Sequence, residues 1–382
     1  METNTSIKYF PGLNALRFIA ASLVIFHHVE QYKYWIDMPS LWGTSIIDSM
    51  GHKSVSFFFV LSGFLITYLL LCEREKKGFI HLGRFYLRRA LRIWPLYFLI
   101  VLMALMVVPL FASDMFDVKP YELPVVLSFV LFLPNLLRIV MPRVIGANQL
   151  WSVGIEEQFY LIWPVLVGLF AKRMLPFLFT FILLKLLINI GLDVSFHLLE
   201  DKEILLRISQ ITQLYELFPV EQMAIGGVGA SLIFLKKDWF LRIIYHPITL
   251  TISSVLIPIL AIYEIHLLYF SYVDAILFVV VIMNICHHRF LYQLLEFKLF
   301  KHLGDISYGI YMWHTIVIVV IMKFMDAFEL TTGVNVILHF GSFIITVVVA
   351  HLSYRYFEKP FLKFKERFSF DRARFTSEVP KV

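Results

Sequence analysis

Apolar stretches of about twenty residues recur along almost the whole chain. Only 16% of the 382 residues are charged and the mean hydropathy is +0.77, so there is too little charge to cover a soluble particle of this size. The sequence therefore predicts an all-α, polytopic membrane helix bundle of about ten transmembrane helices. The predicted spans are residues 13–30, 54–72, 93–112, 153–170, 174–192, 214–235, 243–262, 267–286, 304–323 and 336–354.

The lysines and arginines are distributed unevenly between the predicted connections. With ten spans, most of them fall on one side, including those of residues 73–92 and of the end of the chain. Cytoplasmic loops carry an excess of Lys and Arg, so we expect both termini in the cytoplasm. We expect residues 1–360 to form one integral-membrane domain and residues 361–382 a basic cytoplasmic tail. The net charge of +6 does not indicate nucleic-acid binding, because no basic motif sits on a soluble fold.

Residues 121–141 are also apolar, but Pro124 and Pro134 interrupt them and Glu122 and Arg138 flank them. Because proline interrupts helices, this segment is predicted to re-enter the membrane or to lie at its surface. The first apolar stretch lacks a small-residue cleavage site, so we expect a retained helix rather than a signal peptide.

The first predicted span carries Arg17, His27 and His28. Arg17 and His28 are eleven positions apart, so the two side chains point within about 20° of each other, some 16 Å apart along a helix. His27 points about 80° away from Arg17. A bundle that buries Arg17 is therefore expected to bury His28 as well. The alternative is that Arg17 reaches the inner head groups and His28 is an ordinary core histidine.

The second and third spans are marked by Ser62-Gly63 and by three arginines, Arg88, Arg89 and Arg92. Small residues let neighbouring helix backbones approach closely. Guanidinium groups at a membrane surface suit phosphate recognition, although flanking by positive charge is an equal explanation. Trp94-Pro95 follows at once and is typical of a kink or of the first turn of a helix.

Two later spans carry polar groups on one helical face. Glu156 and Tyr160 are one turn apart, and a carboxylate so close to hydrocarbon is costly unless it is paired or protonated. Ser307, Tyr311 and His314 form a polar stripe at positions i, i+4 and i+7 on an otherwise apolar helix. Buried ionisable and polar groups of this kind mark functional sites in membrane proteins.

These residues favour an enzyme over a transporter only slightly. The sequence has no nucleophile elbow, Walker sequence, Rossmann glycine pattern or Cys/His metal spacing, so we expect no metal and no permanently bound cofactor. Cys72 and Cys286 imply no disulfide framework. An imidazole is suited to taking a proton from a hydroxyl group. Proton-coupled transporters also bury His, Glu and Arg, so both classes remain open on the residues alone.

Six segments in order resemble the membrane-bound acyltransferase 3 family, over roughly residues 10–360. They are LNALRFIAASLVIFHH, FFFVLSGFLIT, RRALRIWPLY, WSVGIEEQFYLIWP, LGDISYGIYMWH and YRYFEKPF. The resemblance implies a bacterial inner-membrane O-acyltransferase that takes an acyl group, most often acetyl, from cytoplasmic acyl-CoA. The acceptor it implies is a hydroxyl of a cell-surface or periplasmic glycan or of a lipid-linked saccharide. Some members carry a C-terminal esterase-like domain, and we expect this chain to be the stand-alone form.

Site residues follow from the same resemblance. It implies that His28 is the essential histidine, Arg17 its partner and Glu156 the acidic residue of a W-S-x-x-x-E motif. We expect the thioester between Arg17 and His28, and the CoA phosphates on Arg88, Arg89 and Arg92. The other residues predicted to contact substrate are Ser62, Tyr160, Ser307, Tyr311 and His314. Two alternatives stay open: an acyltransferase for a small or lipid-linked acceptor on the cytoplasmic side, and a transporter of such a molecule.

Overall fold

A computed structural model of the protein describes residues 10–118, 120–136, 143–199, 201–263, 270–328 and 333–368. Within these ranges the secondary structure is helical and contains no β-strand, which confirms the all-α prediction. In chain order, the helices are α1 (Leu13–Trp35), α2 (Ser45–Lys77), α3 (Leu82–Phe116), α4 (Leu123–Val130), α5 (Leu150–Phe170), α6 (Met174–Leu198), α7 (Lys202–Glu216), α8 (Val220–Phe234), α9 (Asp238–Ile244), α10 (Pro247–Ile262), α11 (Phe270–His287), α12 (Arg289–Leu295), α13 (Lys298–Asp305), α14 (Ser307–Ala327) and α15 (Val334–Glu366).

Five helical stretches in the described part of the chain are long and apolar enough to cross a membrane. The number rises to eight if each of three bent pairs, α7–α8, α9–α10 and α11–α12, forms one span. The protein is therefore a multi-pass membrane protein, but the predicted count of about ten is not confirmed. With the bent pairs included, the structure gives two fewer spans than the sequence predicts. Helix α1 is not among these stretches, and α5 and α6 together form a single one, Leu150–Leu198.

Helices α5 and α6 nevertheless fold back on one another. The ring centroids of Trp163 and Phe177 are 6.4 Å apart. A straight helix of fourteen residues would separate them by about 21 Å. The chain therefore reverses direction at the 3₁₀ turn Ala171–Arg173, where the sequence predicts a boundary between two spans.

Two long helices contain a π-helical turn shortly before a proline. In α3 the turn Met103–Val107 precedes Pro109, and in α15 the turn Tyr354–Glu358 precedes Pro360. Proline lacks the amide hydrogen that would bond to the carbonyl four residues earlier, and a wider turn accommodates this loss. Both helices therefore continue past the proline.

Prolines also mark two further segments singled out in the sequence. Pro95 lies inside α3, which begins at Leu82, so the interpretation of Trp94-Pro95 as the first turn of a helix is wrong. Residues 121–141 contain α4, whose eight residues extend about 12 Å and are too short to cross a bilayer. Residues 137–141 of that segment lie outside the described residues.

Helices α2 and α8 touch through glycine. A methyl group added to Gly63 would lie 1.9 Å from the carbonyl oxygen of Met223, and one added to Gly226 would lie 2.1 Å from that of Val60. This confirms that Ser62-Gly63 allows close backbone approach. The contact holds α2 in the centre of the bundle, where it also packs against α1, α5 and α11.

Helix α1 is enclosed by the rest of the bundle. It packs against α2, α13, α14 and α15, and its polar side chains His27, His28, Glu30 and Lys33 are buried. Gly12, directly before α1, adopts a left-handed φ of 79° and its amide donates to Glu296 Oε1 at 2.8 Å. The entry of α1 into the bundle is therefore fixed at the end that carries Arg17.

Candidate active site

A cavity of about 200 Å³ lies between α1, α2, α3, α5 and α14. Val55 and Leu69 both line it and are fourteen residues apart on α2, so it extends about 21 Å along the helix axis. Its apolar wall comes mainly from α2: Val55, Phe58, Phe59, Leu61, Leu65, Ile66 and Leu69. Its polar lining is Arg17, Ser62, Arg89, Arg92, Ser152, Glu156, Tyr160, Ser307, Tyr308 and Tyr311.

Three arginines line the end of the cavity nearer Leu69. Arg17 donates from Nη1 to Asn14 Oδ1 at 3.2 Å, and Arg89 lies over the ring of Tyr160 at 5.6 Å from its centroid. In the described part of the chain, no group forms a hydrogen bond with the buried Nε of Arg89. Among the described residues, no carboxylate oxygen lies within 4.0 Å of the guanidinium nitrogens of Arg17, Arg89 or Arg92. This end of the cavity therefore carries excess positive charge, which favours an anionic ligand.

Arg88, predicted to join this group, does not line the cavity. Its Nη2 lies 3.4 Å from Glu73 Oε2, and its Nη1 donates to the carbonyl oxygen of Phe368 at 3.1 Å. One turn of helix α3 thus presents Arg89 and Arg92 to the cavity and turns Arg88 towards a carboxylate. The structure separates the three arginines that the sequence groups together.

Glu156, Tyr160 and Ser62 form a hydrogen-bonded cluster on the cavity wall. The hydroxyl of Tyr160 donates to Glu156 Oε2 at 2.8 Å and lies 3.2 Å from Ser62 Oγ. Ser62 Oγ donates to Glu156 Oε1 at 3.1 Å. The predicted shared face of Glu156 and Tyr160 is confirmed. Hydrogen bonds to both carboxylate oxygens offset the cost of placing this group inside the bundle.

The opposite end of the cavity, nearer Val55 and deeper in the bundle, is polar as well; we call it the inner end. The hydroxyls of Tyr311 and Ser152 are 2.6 Å apart, and Tyr311 also donates to the carbonyl oxygen of Gln149 at 3.2 Å. Ser307, one turn before Tyr311, donates to the carbonyl oxygen of Gly304 at 2.8 Å. Two members of the predicted polar stripe on α14 therefore face the cavity.

His28 and His314, by contrast, do not line the cavity but lie beyond its inner end. Their ring centroids are 4.8 Å apart, and the ring of His314 is 5.7 Å from that of Tyr311. Both side chains are buried. The expectation that Arg17 and His28 flank one bound group is therefore not met: Arg17 lies with the arginines, some 16 Å along α1 from His28.

His27 lies on a different side of α1, as its direction predicts. Its Nδ1 lies 2.8 Å from the carbonyl oxygen of Ile47, and a methyl group on Gly51 would lie 2.6 Å from its ring. Its ring centroid is 4.9 Å from that of Trp42. His27 is therefore part of the packing between α1 and α2.

Sequence reasoning missed four polar residues of this site, one of which is Tyr308 on the cavity wall. Ser152 precedes Glu156 by one turn and lines the same wall. Asn14 precedes Arg17 by three residues and accepts its hydrogen bond, and Asp305 accepts at 3.0 Å from the amide of Asn14. The sequence shows that Ser152 and Asn14 each lie one helical turn before a predicted site residue, whereas the contact of Asp305 depends on the packing of α13 against α1.

The fold and the cavity together define a class: a multi-pass membrane protein with a partly charged cavity inside its helix bundle. In the part of the chain that the structure describes, no group of three His, Cys, Asp or Glu side chains could hold a metal ion. Residues 10–355 match the family profile described as an acyltransferase domain. The chain therefore belongs to the acyltransferase 3 family.

Curated relatives carry acetyltransferase names. The chain is 27% identical over 398 residues to the peptidoglycan O-acetyltransferase OatA of Listeria monocytogenes, covering 94% of this chain and 57% of that protein. It is 26% identical over 390 residues to the O-acetyltransferase OatA of Staphylococcus aureus, covering 95% of this chain and 59% of that protein. The chain thus spans a little under three fifths of the length of these relatives. No solved structure matches the chain.

Proposed function

We propose that the protein is an acyl-CoA-dependent O-acyltransferase of the bacterial inner membrane. In this proposal it transfers an acyl group, with acetyl the first to test, to a hydroxyl of a cell-surface or periplasmic glycan. The observation that supports it best is the cavity itself, which leads from three arginines without carboxylate partners towards a buried pair of imidazoles. Family membership and the names of the relatives support the same class of reaction.

The arginine end suits the nucleotide part of the donor. Coenzyme A carries phosphate groups on one end and a thiol on a long, weakly polar arm. Guanidinium groups bind phosphate with paired hydrogen bonds, and excess positive charge attracts a polyanion. In this proposal Arg17, Arg89 and Arg92 hold the phosphates, and the arm follows the apolar wall of α2 towards Tyr311.

The inner end suits the chemical step. His28 takes the proton of the acceptor hydroxyl as the acceptor oxygen bonds to the thioester carbonyl carbon. The bond from that carbon to sulfur then breaks, and the thiolate of coenzyme A leaves and takes up the proton. In this proposal the hydroxyl of Tyr311, a cavity-lining residue whose ring is 5.7 Å from that of His314, stabilises the developing charge on the carbonyl oxygen.

Glu156 has a separate role in this proposal. Its carboxylate is bonded to Ser62 and Tyr160 rather than to His28, so it does not orient the base. Tyr160 also carries Arg89 over its ring. Glu156 is therefore proposed to order the cavity wall between the arginines and the reacting groups.

The direct test is acyl transfer by the purified chain in lipid nanodiscs. The reaction contains acetyl-CoA labelled in the acetyl group and, in separate arms, peptidoglycan fragments, a lipid-linked saccharide or no acceptor. We expect alkali-labile label on a saccharide, with one coenzyme A thiol released per ester. His28→Ala should lower the rate by about 10²–10⁴-fold, because it removes the general base. His27→Ala is the matched control, and it should affect the rate far less.

The two alternatives give different results in the same set of measurements. Transfer to the lipid-linked acceptor alone would assign the protein to that acceptor class. Uptake of a labelled saccharide into liposomes, without ester formation or thiol release, would contradict the proposal and favour a transporter.

A further inference from the structure

The two buried imidazoles beyond the cavity are linked by a hydrogen bond whose direction is fixed. His28 Nδ1 lies 3.2 Å from His314 Nε2, and also 3.0 Å from the carbonyl oxygen of Val24. His314 Nδ1 lies 2.7 Å from the carbonyl oxygen of Tyr311. His314 is fully buried and His28 is 6% exposed. Each imidazole therefore has a partner that determines its tautomer.

A carbonyl oxygen can only accept a hydrogen bond. The contact with Tyr311 therefore places the proton of neutral His314 on Nδ1 and leaves a lone pair on its Nε2. The contact with Val24 places the proton of neutral His28 on Nδ1, where it points at both the Val24 oxygen and His314 Nε2. Both histidines satisfy their partners as neutral rings, so no charge has to be buried.

This arrangement leaves His28 Nε2 as the basic nitrogen. Among the described residues, no hydrogen-bond partner contacts that atom. When Nε2 takes up a proton, the positive charge is shared with Nδ1–H, which already points at the lone pair of His314. In sites with an activated nucleophile, the general base is often a histidine whose other ring nitrogen donates to an acceptor, commonly a carboxylate.

We propose that His314 is a positioning residue, which holds His28 in the tautomer and orientation that a general base needs. The proposal rests on the proposed function, because it assigns a partner to the base of that reaction. It differs from the role that the sequence suggests for His314, since this residue contacts His28 rather than the cavity. What the role requires at position 314 is a hydrogen-bond acceptor directed at His28 Nδ1.

Two substitutions separate this role from simple packing. His314→Phe keeps a ring of similar size but has no acceptor. His314→Gln is smaller in shape but keeps an acceptor oxygen near the end of its side chain. If His314 only fills space, Phe should be the better replacement; if it positions His28, Gln should be. The thermal stability of each variant in the same detergent shows whether it folds.

The kinetic measurement is the dependence of rate on acetyl-CoA concentration. We expect His314→Phe to lower kcat by roughly 10–100-fold with little change in the KM for acetyl-CoA, because the proposed phosphate contacts of the donor are at the arginine end of the cavity. His314→Gln should recover a substantial part of kcat. A raised KM with unchanged kcat would show that His314 contacts the donor and would overturn the proposal. So would an unchanged kcat in His314→Phe, or a better rescue by Phe than by Gln.

A measurement without substrate keeps this proposal distinct from the proposed function. In protein labelled with ¹⁵N-histidine, the His28 signal (assigned by its loss in His28→Ala) should show a ring protonated at Nδ1 with a bare Nε2. His314→Phe should shift the Nδ1 signal, and His314→Gln should restore most of the shift. If the wild-type spectrum shows His28 protonated at Nε2, the positioning role is wrong even if transfer is observed. If the spectrum fits but no acceptor is acylated, the proposed function fails and the histidine pair stands.

Discussion

Asn14 holds the guanidinium of Arg17 from one turn earlier on the same helix. Arg17 Nη1 donates to Asn14 Oδ1 at 3.2 Å, and the amide of Asn14 in turn donates to Asp305 Oδ1 at 3.0 Å. The last turn of α13 can approach this closely because position 304 is glycine: a methyl group there would lie 2.3 Å from the carbonyl oxygen of Asn14. The direction of Arg17 in the cavity is thus set by two helices.

Removing this support is expected to weaken donor binding. Asn14→Ala deletes the acceptor for Arg17, and a hydrogen bond to a charged group contributes about 1.5–3 kcal/mol. Since Arg17 remains in place but is less well ordered, we expect the lower end of that range and a roughly tenfold higher KM for acetyl-CoA. Asn335→Ala, at an exposed position of α15, is the control. An unchanged KM in Asn14→Ala would show that Arg17 needs no orienting partner.

The neighbouring arginines of α3 are expected to differ in their effect on donor binding. Arg89 lines the cavity and none of the described residues forms a hydrogen bond with its Nε, whereas Arg88 is turned towards Glu73. Arg89→Ala should raise the KM for acetyl-CoA by roughly 10–100-fold, because it removes a charged hydrogen-bond donor to phosphate. Arg88→Ala should raise it much less and mainly lower stability, since it removes an ion-pair partner of Glu73, which keeps the hydrogen bond from the His81 amide. Equal effects in titrations with acetyl-CoA would contradict the placement of the phosphates.

Helical periodicity was enough to predict relations between residues of the same helix. It predicted that Glu156 and Tyr160 share a face, and the hydrogen bond between them confirms this. It also separated His27 from His28, and the structure places the two rings against different neighbours. These relations lie within one helix, where direction follows from 100° per residue.

Relations between helices, and the extent of the cavity, were beyond that reasoning. Arg17 and His28 do point in nearly the same direction, but 16 Å of axial distance puts one at the arginine end and the other beyond the inner end. The pairing of His28 with His314 joins α1 to α14 across 286 positions of sequence. The turning of Arg88 towards Glu73 depends on how α2 and α3 meet. Periodicity holds no information on how the helices meet or on where the cavity ends.

The glycine contact between α2 and α8 is expected to be sensitive to one added methyl group. In Gly63→Ala the new group would meet the backbone of Met223, which cannot move aside as a side chain can. Overpacking of this kind costs about 1–3 kcal/mol, so Tm in detergent should fall. Gly191→Ala is the matched control, because no atom of the described residues lies within 4 Å of the added group. There the better helix propensity of alanine, up to about 1 kcal/mol, should leave Tm unchanged or slightly raised. Equal shifts in the two variants would show that α2 and α8 do not approach as closely as described.

The membrane orientation can be tested at two exposed lysines at opposite ends of the bundle. Lys76 lies near the end of α2, where Arg74 donates to the carbonyl oxygen of Val167 at 3.2 Å. The 25 residues of α6 lead away from that end, and Lys202, the first residue of α7, follows them. Excess positive charge around the arginine end predicts that Lys76 is cytoplasmic and Lys202 is not. In intact cells, a membrane-impermeant maleimide should label Lys202→Cys at once but Lys76→Cys only after permeabilisation. Cys72 and Cys286 are buried, so the unsubstituted chain should give little background. The reverse labelling pattern would place Arg17, Arg89 and Arg92 on the non-cytoplasmic side of the membrane. It would therefore contradict cytoplasmic acyl-CoA as the donor.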